Sequence, residues 1–148
     1  MTAIVLTRYL HFIAVFAIVG AIVAEQFLVT KSMKRREIKL VARVDGIYGL
    51  GAILVLVAGL ALWLWVGKPA EFYTKNWIFH TKLTLFVVLG ILSIYPTIFF
   101  LKNRKGADLE ELIHIPMAVR ICLRLELALL FIIPILASFM SLGIGSFA

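Results

Sequence analysis

The chain has 148 residues, of which 63% are apolar and only 16% charged, with a formal net charge of +7. Soluble domains run nearer half apolar and a quarter charged, so this stock points to an integral membrane protein and excludes a disordered chain or a nucleic-acid module. Its one cysteine, Cys122, cannot form an internal disulfide, which excludes a secreted disulfide scaffold.

The first apolar run, Tyr9 to Ala24, lies between Arg8 and Glu25-Gln26. Extended through Val29 it predicts a transmembrane helix over about residues 4–29. Ile22-Val23-Ala24 makes a passable cleavage pattern, yet the segment is expected to be retained as an anchor. Arg8, His11, Ile18, Ile22 and Glu25 share one stripe of this helix, so His11 is expected to face the bundle. Residues 31–44 then carry Lys31, Lys34, Arg35, Arg36, Lys39 and Arg43. The charge-free run Gly46 to Gly67 predicts a second helix over 45–67, with small residues at Gly49, Gly51, Ala58 and Gly59 permitting close approach. Gly67 and Pro69 are its stop signal.

A third helix is expected over 77–101, from the charge-free run Leu83 to Leu101 and with a kink at Pro96. Residues 102–124 hold Lys102, Arg104, Lys105, Arg120 and Arg124. Within them Asp108 to Glu111 reads as a capping box opening a short amphipathic turn, with Leu109, Leu112 and Ile113 on one face. The run Leu127 to Ala148 predicts a fourth helix over 121–144, with a second kink at Pro134. The expected fold is an all-α integral membrane four-helix bundle, one domain over residues 1–148. The two basic loops hold eleven of the fifteen Lys and Arg residues, which places them in the cytoplasm and both termini outside. Trp63, Trp65, Tyr73 and Trp77 then form an outer aromatic belt. The expected location is the bacterial cytoplasmic (inner) membrane, as a multi-pass protein.

Ionisable groups at membrane depth are functional candidates by default, and they fall into two sets. The outer set is Arg8, His11, Tyr73, His80 and Lys82. Two histidines at similar depth on different helices are what a bis-imidazole haem b needs, so His11 and His80 are the expected iron ligands, with Arg8 or Lys82 pairing its propionates. His80 and Lys82 lie about 200° apart around the helix, so both cannot point squarely inward. The inner set is Glu25, Arg43, Asp45, Arg120, Arg124 and Glu126. Three acids and three arginines suggest a structural ion-pair network, or alternatively a proton relay. Glu126 is turned away from Arg124 and needs a separate partner, for which Tyr48 and Gln26 are candidate donors. His114 is read as a solvated loop histidine.

The strings LHFIAVF (Leu10–Phe16), RVDGIYG (Arg43–Gly49), FYTKNWIFHTK (Phe72–Lys82), LSIYPT (Leu92–Thr97) and RLE (Arg124–Glu126) resemble a group of small bacterial membrane proteins catalogued as a domain of unknown function. That resemblance covers nearly the whole chain and implies a four-helix membrane protein with no assigned activity. More distantly, Leu10-His11 and His80 to Leu83 resemble CopD-like copper-resistance domains and HemJ-type protoporphyrinogen oxidases. The HemJ likeness implies haem b, with His11 as axial ligand and Lys82 in the supporting polar site.

The leading expectation is a small membrane haem protein exchanging electrons with a quinone or a tetrapyrrole. The alternatives are an ion- or proton-conducting protein, or an accessory subunit with no cofactor. Expected partners are the lipid bilayer and a homo-oligomer or larger membrane complex, and no nucleic acid.

Overall fold

Charge-free length marks where the membrane lies, whereas capping and turn chemistry decide where each helix starts and stops. In the computed structural model, which describes residues 2–147, helix α1 spans Thr2–Leu28. It is followed by a short strand β1, Ser32–Lys34, and by α2, Arg35–Ala61, whose last turn widens into a π-helical turn over Leu62–Val66. A one-turn helix α3, Ala70–Thr74, leads into α4, Trp77–Asn103; strand β2, Leu112–His114, then precedes α5, Met117–Ser141. Among the described residues four helices are long and apolar enough to cross a membrane. Each exceeds the roughly 20 residues that a hydrocarbon core requires.

Three boundaries differ from the sequence expectation. Helix α2 starts at Arg35 rather than residue 45, because the Glu37 carboxylate accepts the Lys34 backbone N–H at 2.7 Å and nucleates the helix outside the apolar run. Helix α5 starts directly after Pro116, a residue whose missing N–H costs nothing at a helix start. It stops at Ser141, since Gly143 and Gly145 take positive φ values of 82° and 86° and turn the chain back. There Trp77 N–H donates to Gly145 O at 3.1 Å, and the Asn76 side chain both caps α4 at Ile78 and donates to Ile144 O at 3.0 Å.

The expected amphipathic helical turn after Asp108 is not formed. Asp108 Oδ1 accepts the Glu110 N–H at 2.9 Å in a tight bend, and the chain continues as β2. β2 pairs antiparallel with β1, placing Ser32 opposite His114, Met33 opposite Ile113 and Lys34 opposite Leu112. Alternation along the strand leaves Leu112 outward and Ile113 half-buried, so the two do not share a face. Arg35, only 8% exposed, holds the neighbouring loop. Its guanidinium donates to Asn103 O at 2.9 Å, to Asp108 O at 3.0 Å and to Lys105 O, and it pairs with Glu111.

Helix α1 packs mainly on α2, and α4 on α5; α2 against α4 and α1 against α5 close the square. Ile18, Ile22, Tyr48, Leu89 and Phe100 are fully buried between the four. Phe16, Phe27, Ile53, Ile91 and Phe131 are each more than 60% exposed on the outside, the distribution of a bundle whose solvent is lipid. The arrangement is the all-α membrane bundle expected from the sequence. One end carries Thr2 and Phe147 (the terminal end); the other carries the β1–β2 ribbon (the ribbon end).

Gly51 sets the closest α1–α2 approach, since a Cβ there would lie 2.9 Å from Ile18 Cγ1 and 3.3 Å from the Ala14 carbonyl oxygen. Gly51→Ala is therefore expected to cost about 1–3 kcal/mol by overpacking. Gly20→Ala, with no atom within 4 Å of the added Cβ, should be neutral. Equilibrium unfolding in mixed micelles compares the two, and equal stabilities would contradict the assigned contact.

Candidate functional site

The polar groups at depth form two sites, one toward each end. Near the terminal end a cavity of about 260 Å³ lies within the bundle. Its walls are mostly aliphatic and aromatic. Trp63 on the π-helical turn meets Phe79 of α4 edge to face, with ring centroids 4.8 Å apart, and that wider turn forms part of the wall. His11 enters from α1 against Gly59 of α2, where a Cβ would sit 3.6 Å from His11 Cε1. Lys82 enters from α4, its Nζ 4.0 Å from Met140 Sδ. Both bases line the cavity, His11 Nδ1 is buried without a hydrogen-bond partner, and no acidic residue lines the wall among the described residues.

The other three members of the expected outer set, Arg8, Tyr73 and His80, do not line it. Arg8 is exposed on α1 and does not line the cavity. His80 is also exposed, and its Nε2 lies 2.8 Å from the Thr74 carbonyl, a bond that ties it to α3. The reason is angular: Lys82 takes the inward direction, and a residue two positions away points nearly opposite. His11 and His80 therefore do not converge, and the residues present do not fit a bis-histidine haem. Gly59, Trp63 and Phe79 complete the cavity. The small residue at position 59 was legible only as packing, and no sequence signal separates Trp63 from its belt neighbours Trp65 and Trp77.

Toward the ribbon end, Glu25 of α1, Asp45 of α2 and Glu126 of α5 converge, each 1–4% exposed. Thr97 of α4 donates its hydroxyl to Asp45 Oδ1 at 3.0 Å. Tyr48 of α2, 2% exposed, faces Glu126, and its hydroxyl, Glu25 Oε1 and Glu126 Oε1 all lack a hydrogen-bond partner within the chain. A small polar cavity of about 70 Å³ opens beside Glu25 and is lined by Gln26, Arg120 and Arg124. Gln26 Nε2 donates to Leu123 O at 2.9 Å, across to α5 rather than to an acid.

The expected ion-pair network is not built. Arg43 and Arg124 are exposed, and Arg120 is half-buried with its Nε unpaired. Arg43 and Asp45, like Arg124 and Glu126, are two residues apart on a helix, so turning the acid inward turns the arginine out. The ion pairs among the described residues lie instead at the ribbon: Lys34–Glu110 at 2.7 Å, Arg36–Glu110 at 3.0 Å, and Arg35–Glu111. Arg35 had no signal beyond its place in a basic run.

The hydrogen bond from Lys34 holds the Glu110 carboxyl below its ordinary value, with Arg36 adding to the effect. A lowered carboxyl pKa contributes order above the unfolded value, near 4.3, and loses it as pH falls through the folded one. A spin label on Ala107→Cys, in a Cys122→Ser background, should therefore become more mobile as the medium is acidified below about pH 4. Lys34→Met should raise the midpoint of that transition toward the ordinary carboxylate value. An unchanged midpoint would contradict the pairing.

A family model described as "Predicted membrane protein (DUF2214)" matches residues 3–145 of the chain. No curated protein and no solved structure gives a significant match. The wider likeness to CopD-like and HemJ-type proteins has no counterpart among these findings.

Proposed function

The chain belongs to the DUF2214 family of membrane proteins, and from that premise we propose that it takes up protons at Glu25, Asp45 and Glu126 and passes them along the bundle. The observation that carries this reading is the convergence of three carboxyls from three helices, at 1–4% exposure, with no Lys or Arg paired to them among the described residues. Unpaired carboxylates out of water cost several kcal/mol each. A proton shared within the set relieves that cost, and a fixed arginine does not occupy the position. The Tyr48 and Thr97 hydroxyls supply relay partners next to the acids. Asp45 has Thr97 as its donor, whereas Glu25 and Glu126 each keep one oxygen free to receive a proton.

Access from the ribbon end is supported by the polar cavity beside Glu25. From the other side, the larger cavity reaches Ile18, Phe86 and Leu130, and fully buried residues follow along the helices, Ile22 between Ile18 and Glu25 on α1 and Leu89 between Phe86 and Thr97 on α4. With the two basic loops on the cytoplasmic side, the acid set opens toward the cytoplasm of a bacterial cell and the larger cavity lies in the outer half.

Proteoliposomes carrying a potassium gradient test this reading. Addition of valinomycin should drive proton entry faster than in protein-free vesicles, read by a trapped pH dye. Glu126→Gln should slow it at least tenfold, and Tyr48→Phe should slow it less. Flux no faster than the lipid background, or unchanged in a folded Glu126→Gln protein, overturns the proposal.

A further inference from the structure

The terminal-end cavity has a composition that the proton reading does not use. Its ionisable lining residues are His11 and Lys82, both bases, with no acid opposite them among the described residues. Each is poorly matched within the chain: His11 has the Val55 backbone as its near polar neighbour, with no full hydrogen bond at Nδ1, and that of Lys82 Nζ is the Met140 thioether at 4.0 Å, a weak acceptor. Two basic groups from different helices lining an apolar chamber with no acid leave a gap suited to an acceptor group carrying negative charge. An electrically neutral carbonyl could accept from both groups but would leave the positive charge of a Lys82 ammonium unbalanced.

The walls define the rest of the ligand. Trp63, Phe79 and Phe86 supply aromatic surface, while Phe12, Leu56 and Pro134 line the chamber and are also exposed at the bundle surface. The chamber thus opens sideways among lipid-facing residues rather than only toward water. Its volume of about 260 Å³ falls just below the roughly 300–1,000 Å³ usual for enclosed small-molecule pockets. It suits a compact head and the first part of a chain, the remainder lying along the lipid-facing groove.

We propose that this cavity binds a single-chain amphiphile with an anionic head, taken laterally from the bilayer, with the head at His11 and Lys82 and the chain against the aromatic wall. The head chemistry is that of a carboxylate or a monoalkyl phosphate. The inference stands apart from proton passage, because binding is read without flux and neither result decides the other.

The full chain in nanodiscs of zwitterionic lipid is titrated with radiolabelled palmitate and hexadecyl phosphate, and with methyl palmitate, which keeps the chain and lacks the charge. Acetate and inorganic phosphate, which keep the head and lack the chain, serve as competitors. Saturable binding of at least one charged amphiphile is expected, at least tenfold tighter than methyl palmitate and not displaced by either small anion; which of the two binds identifies the head. Lys82→Met combined with His11→Leu should remove the tenfold preference, whereas Arg8→Gln, outside the cavity, should keep it. Ala137→Trp fills the chamber from α5 while both bases stay in the sequence, and it should abolish saturable binding, which keeps the test decisive if the double variant does not fold. Equal binding of methyl palmitate, a preference that survives in the folded double variant, displacement by acetate or phosphate, retained binding in a folded Ala137→Trp protein, or no saturable binding overturns the proposal.

Discussion

Arg35→Met is expected to lower the unfolding free energy by about 3 kcal/mol, the scale of breaking a buried, multiply bonded charge. The carbonyls of Asn103, Lys105 and Asp108 and the Glu111 carboxylate all turn toward this one guanidinium. Methionine fills similar space and offers them no donor. Arg35→Lys should recover less than half of the loss, because a single ammonium cannot reach acceptors spread around a planar fork. Unfolding in mixed micelles gives the magnitude, and limited proteolysis between residues 103 and 111 locates it. Equal stability of the three proteins, or cleavage elsewhere, would contradict the assignment. Gly106 is fitted to the same cluster: its φ is +140° and a Cβ there would lie 2.5 Å from Arg35 Cζ. Gly106→Ala should therefore loosen the same loop.

Leu89→Ala is expected to cost about 2–5 kcal/mol through the cavity it leaves, and also to raise proton leak several-fold. Leu89 is fully buried and lies along α4 between Phe86, which lines the larger cavity, and Thr97, which bonds Asp45. Removing its branched end should open a route from the larger cavity toward the acids. The two effects separate in a double variant. Leu89→Ala with Glu126→Gln should keep the stability loss and lose the added leak, whereas a leak through a loosened bundle would survive removal of the acid. Proteoliposome flux and micelle unfolding, run on the same preparations, decide between them.

The four spans were readable because charge is so costly in hydrocarbon that the apolar runs are nearly free of it. Helix starts were less readable, because Lys, Arg and Glu continue an α-helix into water as readily as they signal a loop. Residues 35–44 show this: their sequence has the character of a basic connection, and they are the first turns of α2. β1 and β2 are three residues each, too short for an alternation pattern, and their pairing depends on a contact between distant loops. At the sites, a two-residue spacing was the most informative quantity. It separated His80 from Lys82 and Arg124 from Glu126 in the sequence. Applied to Arg43 and Asp45, it would also have removed the first arginine from the expected network. It cannot say which member of a pair turns inward, and that choice follows from packing against neighbouring helices.

The β1–β2 pairing also imposes an order on biosynthesis. β1 and Arg35 emerge long before their partners in residues 103–114, so the α1–α2 pair enters the membrane with its ribbon strand unpaired and its guanidinium unmet. Those groups are satisfied only when the segment ahead of α5 has been made. A chain truncated before residue 112 therefore retains an open strand edge, available for pairing with another chain.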